Sequence, residues 1–234
     1  MIDELGIYFL LYDRAGYGES DPNPNRSVKS EAHIEELADQ LQLGSKFYVI
    51  GVSMGSYSTW SCLKYIPPEM APFNFCHGKN PVFFNTRDID ALKTAPGFPM
   101  HTKDKLRQKG VFDTLHNDFK AAFSHWDFDP MDLSNPFSQN QSAVHIWQGY
   151  EDKVVPFQLQ RYISLKLPWI QYHEVPDGGH LIIHYAGLCE TILRALLLGE
   201  ELLRYKPITA YHFPKAEKLA SIHSSYMLFH CNAE

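Results

Sequence analysis

Apolar residues fall into two textures along this chain. Short unbroken runs at residues 7–12 and 47–50 are rich in aromatic and β-branched side chains, as is the 143–148 stretch around His145, and residues 171–175 alternate apolar with polar. Unbroken runs of this length suit strands covered on both faces of a parallel sheet. Between them, apolar positions recur every three or four residues. Ala32, Ile34, Leu37, Ala38 and Leu41 predict a helix over 27–43, with Gly44 as its C-cap. Tyr57, Trp60 and Leu63 predict a second over 56–66, stopped by Pro67-Pro68. Further helices are expected over 103–127, 157–165 and 188–203. Strand, helix, strand, helix over residues 7–66 implies right-handed βαβ units and an α/β fold.

The middle of the chain breaks this rhythm. Pro67, Pro68, Pro72, Pro81, Pro96 and Pro99 interrupt residues 67–100, where Val82-Phe83-Phe84 is the single short strand candidate. The expected organisation is a core in two parts, residues 1–70 and 139–203. A cap or lid over 71–138 lies between them, with inward-facing aromatics, and a weakly ordered tail follows over 204–234.

Composition narrows the function classes. A chain of 234 residues is one domain, or one domain with an insertion. The net charge of −6 offers no basic excess for a phosphate backbone, so nucleic acid is not an expected partner. Twelve histidines lack metal spacing. His180 and His184 are four apart, but Gly178-Gly179 and the lack of a helix cap before them argue against a zinc helix, and neither metal nor organic cofactor is expected. Cys62, Cys76, Cys189 and Cys231 show no disulfide framework, and Cys62 and Cys189 read as helix core residues. Acidic Asp3 and Glu4 replace the basic start of a signal peptide, and the most apolar helix is interrupted by Glu190 and Arg194. The expectation is a cytoplasmic, reduced setting without a transmembrane segment. Nothing in the sequence fixes the oligomeric state.

Chemistry enters at Gly51-Val52-Ser53-Met54-Gly55, which matches G-x-S-x-G between a strand and a helix. In so sharp a turn the serine takes a strained backbone, and Gly51 and Gly55 bring no Cβ into it. The following helix turns its N–H groups and positive end toward the serine, which suits a reaction that builds a negative oxygen there.

An elbow serine needs a base, and the base needs a third group to fix its tautomer. On such an architecture these follow in the order Ser, Asp/Glu, His, on loops at strand C-terminal ends. Asp152 follows the 143–148 strand after Gly149, and His180 follows the 171–175 strand after Gly178-Gly179. Asp177 and Glu151 compete for the acid, His184 and His173 for the base.

Taken together, four segments resemble the α/β-hydrolase superfamily, and its plant branch in particular. They are Asp13-Arg14-Ala15-Gly16-Tyr17-Gly18-Glu19-Ser20, the Ser53 motif, Trp147-Gln148-Gly149-Tyr150-Glu151-Asp152-Lys153-Val154-Val155-Pro156, and Pro176-Asp177-Gly178-Gly179-His180. The resemblance spans roughly residues 5–203. It implies an α/β-hydrolase fold with a mostly parallel sheet, Ser53 as nucleophile, Asp152 as acid and His180 as base, and a structural role for the Asp13 loop. It also implies two or three strands before the Asp13 loop, one ending in a His-Gly loop that donates an oxyanion N–H. This chain starts at the Ile7 run, so the expectation is a fold incomplete at its N-terminal strands and shortened in the lid, with Met54 N–H as the oxyanion donor. His77-Gly78 has the right letters in the wrong place. Losing one such donor typically costs about 10²–10³ in rate. The resemblance further implies a strand directly after the elbow helix, of which residues 71–84 are a poor version, so a central strand is expected to be missing.

The function expected is a serine hydrolase, an esterase acting on small or medium apolar esters. A carboxylate nucleophile, as epoxide hydrolases and dehalogenases use, does not fit Ser53. The alternative is a catalytically weak or inactive ligand-binding relative, or a truncated paralogue.

Overall fold

The computed structural model describes residues 8–44, 47–66, 71–75, 84–94, 110–137 and 143–200. A 3₁₀ turn at Lys29–His33 leads into α1 (Ile34–Gln40). Then follow β1 (Tyr48–Gly51), α2 (Ser56–Tyr65), β2 (Ala71–Phe75), α3 (Thr86–Thr94), α4 (Val111–Phe123), β3 (Val144–Gly149), α5 (Phe157–Lys166), β4 (Ile170–Val175) and α6 (Leu188–Leu198). The four strands form one sheet in the order β1-β2-β3-β4, and every neighbouring pair is parallel.

Side-chain alternation along β3 and β4 divides the core. Val144, Ile146, Ile170 and Tyr172 face one way and pack with Trp60 and Leu63 of α2. Trp147 and Val175 face the other way, against Ala91 of α3 and Leu188 and Ile192 of α6. Helices therefore cover both faces of β3 and β4.

Three expectations are corrected. A central strand is present: Ala71–Phe75 pairs with β1 along four positions and with β3 at Asn74 and Phe75. Pro72 has no N–H to donate, but it precedes the positions paired with β3, so a strand is compatible with it. The first five residues assigned to the cap thus belong to the sheet. Conversely, residues 8–12 form no strand. They make no ladder with β1, the outermost described strand, and Tyr8 and Leu11 are 80% and 90% exposed. Apolar character makes a strand only where a partner supplies hydrogen bonds. The helix over 27–43 is shorter than its periodicity predicts and starts as a 3₁₀ turn; Leu41 is 47% exposed, and positive φ at Gln42 and Gly44 ends the segment.

Elsewhere boundaries shift by a few residues. The 103–127 helix is observed as α4; residues 103–109 lie outside the described residues, and Ser124 is extended. The final helix stops at Gly199, with φ +65°. Phe84 is buried but in no strand, and Val82, Phe83, His77-Gly78 and the 204–234 tail lie outside the described residues. α3 is a helix the periodicity missed. Cys62 is buried in α2, its thiol pushed up to about 12 by burial, and Cys189 is half-buried in α6. No described helix is long and apolar enough to cross a membrane.

A buried polar network fastens α4 to the core. The carboxylate of Asp118, fully buried, accepts from Arg14 at 2.9 and 2.7 Å, from the Tyr17 hydroxyl at 2.7 Å and from the Tyr57 hydroxyl at 2.6 Å. Arg26 lies 3.2 Å from the same carboxylate and 2.8 Å from Glu31, which also accepts from Ser58 at 2.8 Å. Burial pushes the Tyr57 hydroxyl's pKa up, so it stays protonated and donates. The Asp13–Ser20 loop thereby acquires a structural role: it brings Arg14 and Tyr17 to the helix that reaches over the site.

On the α3/α6 face of the sheet, His145 Nδ1 and His173 Nε2 meet at 2.9 Å, and the His173 ring stacks on Trp147 at 4.2 Å. Such a contact needs one donor and one acceptor, so it cannot form when both rings are protonated. Burial lowers their pKa values, to about 3 for His145 and about 4 for His173. The unfolded chain, with histidines near 6.5, then binds protons first as pH falls. Stability is full above about pH 6.5 and declines toward pH 4, by up to about 1.4 kcal/mol per pH unit for each ring held neutral. Urea midpoints measured from pH 7 to 4.5 should fall steeply for the wild type and more gently for a His145→Gln/His173→Gln variant.

Candidate active site

The elbow is built as the motif requires. β1 ends at Gly51, residues Ser53–Gly55 form a single 3₁₀ turn, and α2 starts at Ser56. Ser53 has φ +57°, a left-handed conformation that non-glycine residues rarely hold, and Gln42 is the one other such residue among those described. A Cβ at Gly51 would stand 2.3 Å from Thr59 Oγ1 and 2.6 Å from the Gly55 carbonyl oxygen, so strand and helix meet because Gly51 lacks one. At Gly55 an added Cβ meets nothing within 4 Å outside its own turn. Met54 is buried against Val28, Tyr57, Ala121 and Ala122, which anchors the turn beneath α4.

Asp152 and His180 come together at the same C-terminal end of the parallel sheet, beyond β3 and β4. β3 releases the chain at Gly149 and β4 releases it at Val175. The two loops cross in contact: Tyr150 N–H donates to the Val175 carbonyl at 2.9 Å, and Glu151 N–H to the Gly178 carbonyl at 2.8 Å. A Cβ at Gly149 would lie 2.0 Å from the Gly179 oxygen and 2.4 Å from that of Gly178, so this crossing requires glycine. The result is a contact of 2.6 Å between His180 Nδ1 and Asp152 Oδ2, with both side chains at most 2% exposed.

Asp152 is held from three further directions. Its Oδ1 accepts from the N–H groups of Val154 at 2.8 Å and Val155 at 2.9 Å, and its Oδ2 accepts from Gln148 Nε2 at 2.9 Å. Surrounded by donors, the carboxylate is the acceptor for His180, and Nδ1 carries the proton. Nε2 is then the basic nitrogen of the ring.

Ser53, Met54 and His180 line one cavity with Trp60, Trp126 and Ile163, and its walls are mostly apolar. Phe123 and Trp126, at and just beyond the end of α4, form part of them, as does Gln148. The rival residues stand elsewhere. Asp177 is largely exposed and pairs with Arg87. Glu151 accepts from Asn85 Nδ2 at 2.9 Å. His173 is stacked between His145 and Trp147, and His184 ends the short turn Ile182–His184. No group of three metal-binding side chains occurs among the described residues.

Sequence reasoning missed three contributors. Gln148 sat inside a quoted motif with no role assigned. Asn85 and Asp88 sat in the proline-rich middle, yet they carry a readable signal. Asn85 Oδ1 accepts from Asp88 N–H at 2.9 Å and Asp88 Oδ2 from Asn85 N–H at 3.3 Å, a reciprocal helix cap written as Asn-x-x-Asp.

No family model and no curated protein sequence matches the chain. Solved structures do. A candidate lipase from Acinetobacter baumannii AYE aligns with a TM-score of 0.52 at 16% identity, covering 80% of this chain and 75% of that one. MGS-M2, an α/β-hydrolase enzyme from a Medee basin deep-sea metagenome library, aligns with a TM-score of 0.50 at 18% identity, covering 82% and 79%. With its parallel sheet, flanking helices and elbow turn, the chain has the α/β-hydrolase fold.

Proposed function

We propose that this protein is a serine hydrolase, an esterase whose substrates are small or medium apolar esters. Ser53 is the nucleophile, His180 its base and Asp152 the group that fixes the base. One observation carries the reading: a histidine locked at 2.6 Å to a buried carboxylate shares a cavity with a serine held at φ +57°. A buried polar pair of this kind is costly, and structure alone gives no reason to aim it at a strained serine.

In the proposed reaction Ser53 Oγ attacks the ester carbonyl while His180 Nε2 takes its proton. Asp152 stabilises the imidazolium through Nδ1–H. The carbonyl oxygen, now negative, is received by Met54 N–H at the start of the elbow turn. As the tetrahedral intermediate collapses, His180 returns the proton to the departing alkoxide, leaving an acyl-serine and a free alcohol. Water then repeats the sequence: His180 takes its proton, hydroxide adds to the acyl carbon, and Ser53 leaves with the proton back on its oxygen. No cofactor takes part. Trp60, Trp126, Leu159 and Ile163 suit an apolar acyl or alcohol group, and the segment carrying Phe123 and Trp126 acts as the lid.

Treatment of the folded protein with a fluorophosphonate, followed by peptide mapping, tests this. A single adduct on Ser53 is the expected result. A cooperatively folded protein that takes up no probe would overturn the reading in favour of a ligand-binding relative.

A further inference from the structure

The histidine loop is held by a group outside the Ser53–His180–Asp152 set. Asp88, in the first turn of α3, is fully buried and lies 92 residues before His180 in sequence. Its Oδ2 accepts from His180 N–H at 2.8 Å, and its Oδ1 from Leu181 N–H at 2.8 Å and from the Tyr185 hydroxyl at 2.7 Å. The Tyr185 oxygen in turn accepts from Gly179 N–H at 2.9 Å. Three successive backbone N–H groups, 179 to 181, therefore converge on one carboxylate, two directly and one through a phenol. Burial pushes the Tyr185 hydroxyl's pKa up, so it remains a donor to Asp88. Arg87 lies over the Tyr185 ring at 4.3 Å and pairs with Asp177 in the same loop. Asn85 spans both loops, donating from Nδ2 to Glu151 and to the Asp177 carbonyl, at 2.9 and 3.3 Å.

A backbone knot of this kind does more than fill space. His180 Nδ1 reaches Asp152 along a single side chain, so the ring's position is set wherever its own Cα is set. Asp88 fixes that Cα through the backbone N–H groups of His180 and Leu181 on either side of it. We infer that Asp88 is a positioning residue for His180, acting through the 179–181 backbone and Tyr185 to hold the imidazole in register with Asp152 and Ser53. Asparagine would keep the size of the side chain but replace one acceptor oxygen by a donor. Either His180 N–H or Leu181 N–H then faces an NH₂ group, and the loop must move. Displacement of a reacting group by about 1 Å can cost about 10²-fold in rate.

The inference rests on the hydrolase reading for its rate consequence, but not for its geometry. Asp88→Asn and the milder Tyr185→Phe are to be compared with wild type at a temperature where circular dichroism shows all three folded. The maximal fluorophosphonate labelling rate should fall about 10- to 100-fold in Asp88→Asn and by less in Tyr185→Phe, with the half-saturating probe concentration little changed. The downfield proton signal of His180 Nδ1–H, assigned by its loss in Asp152→Ala, should move or broaden in both variants. If Asp88→Asn does not fold, Tyr185→Phe carries the test. Wild-type labelling rates together with an unmoved proton signal in the folded variants would overturn the inference. A wild type that takes no label removes only the hydrolase reading; the proton signal still decides the role of Asp88.

Discussion

Asp152→Asn is expected to slow fluorophosphonate labelling of Ser53 by about 10⁴-fold without unfolding the protein, a loss of the size seen when a triad acid is replaced by its amide. The argument is one of donors and acceptors. Asp152 Oδ1 takes two backbone N–H groups, and Oδ2 takes Gln148 Nε2 and His180 Nδ1. An asparagine keeping its oxygen toward Val154 and Val155 turns its NH₂ toward two donors. His180 can accommodate this only by giving up the proton on Nδ1, which moves it to Nε2 and removes the base. The opposite orientation sets NH₂ against two backbone N–H groups, which is worse. Stopped-flow or gel-based labelling kinetics, with melting curves alongside, would separate this from simple loss of fold. A labelling rate within tenfold of wild type would mean that Asp152 does not set the tautomer.

The second large effect concerns stability. Asp118→Ala should destabilise the protein by about 3–5 kcal/mol, the usual consequence of removing one member of a buried ion network. Asp118 and Glu31 balance Arg14 and Arg26, and all four are 10% exposed or less. Without Asp118 an excess positive charge is buried, and the hydroxyls of Tyr17 and Tyr57 lose their acceptor. Urea unfolding would measure the loss. Adding Arg26→Met restores neutrality and should recover part of it, because the two changes are directly coupled. The wall of the cavity should suffer too, since Asp118 belongs to the helix that ends at Phe123.

What the sequence disclosed and what it withheld divide along physical lines. β1, β3, β4 and the helices after them were legible because aromatic and β-branched residues concentrate in the strands, with polar residues alternating in β4, and packing on one face leaves a helical period. The elbow was legible because Gly51 is needed where the strand meets the helix. Asp152 and His180, expected from the order of loops along the chain, meet because the parallel sheet releases both loops at the same end. Three features escaped. β2 hid behind Pro72, because a proline speaks against a strand unless its register is known. The run at 8–12 looked like a strand because composition records apolarity but not the presence of a partner ladder. α3 has few apolar positions, and its chief buried group, Asp88, earns its place by contact with a loop 92 residues away. No local pattern encodes a contact of that range.

The crossing at Gly149 ties Asp152 and His180, the proposed acid and base, together mechanically. Backbone hydrogen bonds run directly from the Asp152 loop into the His180 loop, and the chains touch where no side chain could intervene. A fluctuation that frees either loop strips the other of these two hydrogen bonds, so opening of one loop is coupled to opening of the other.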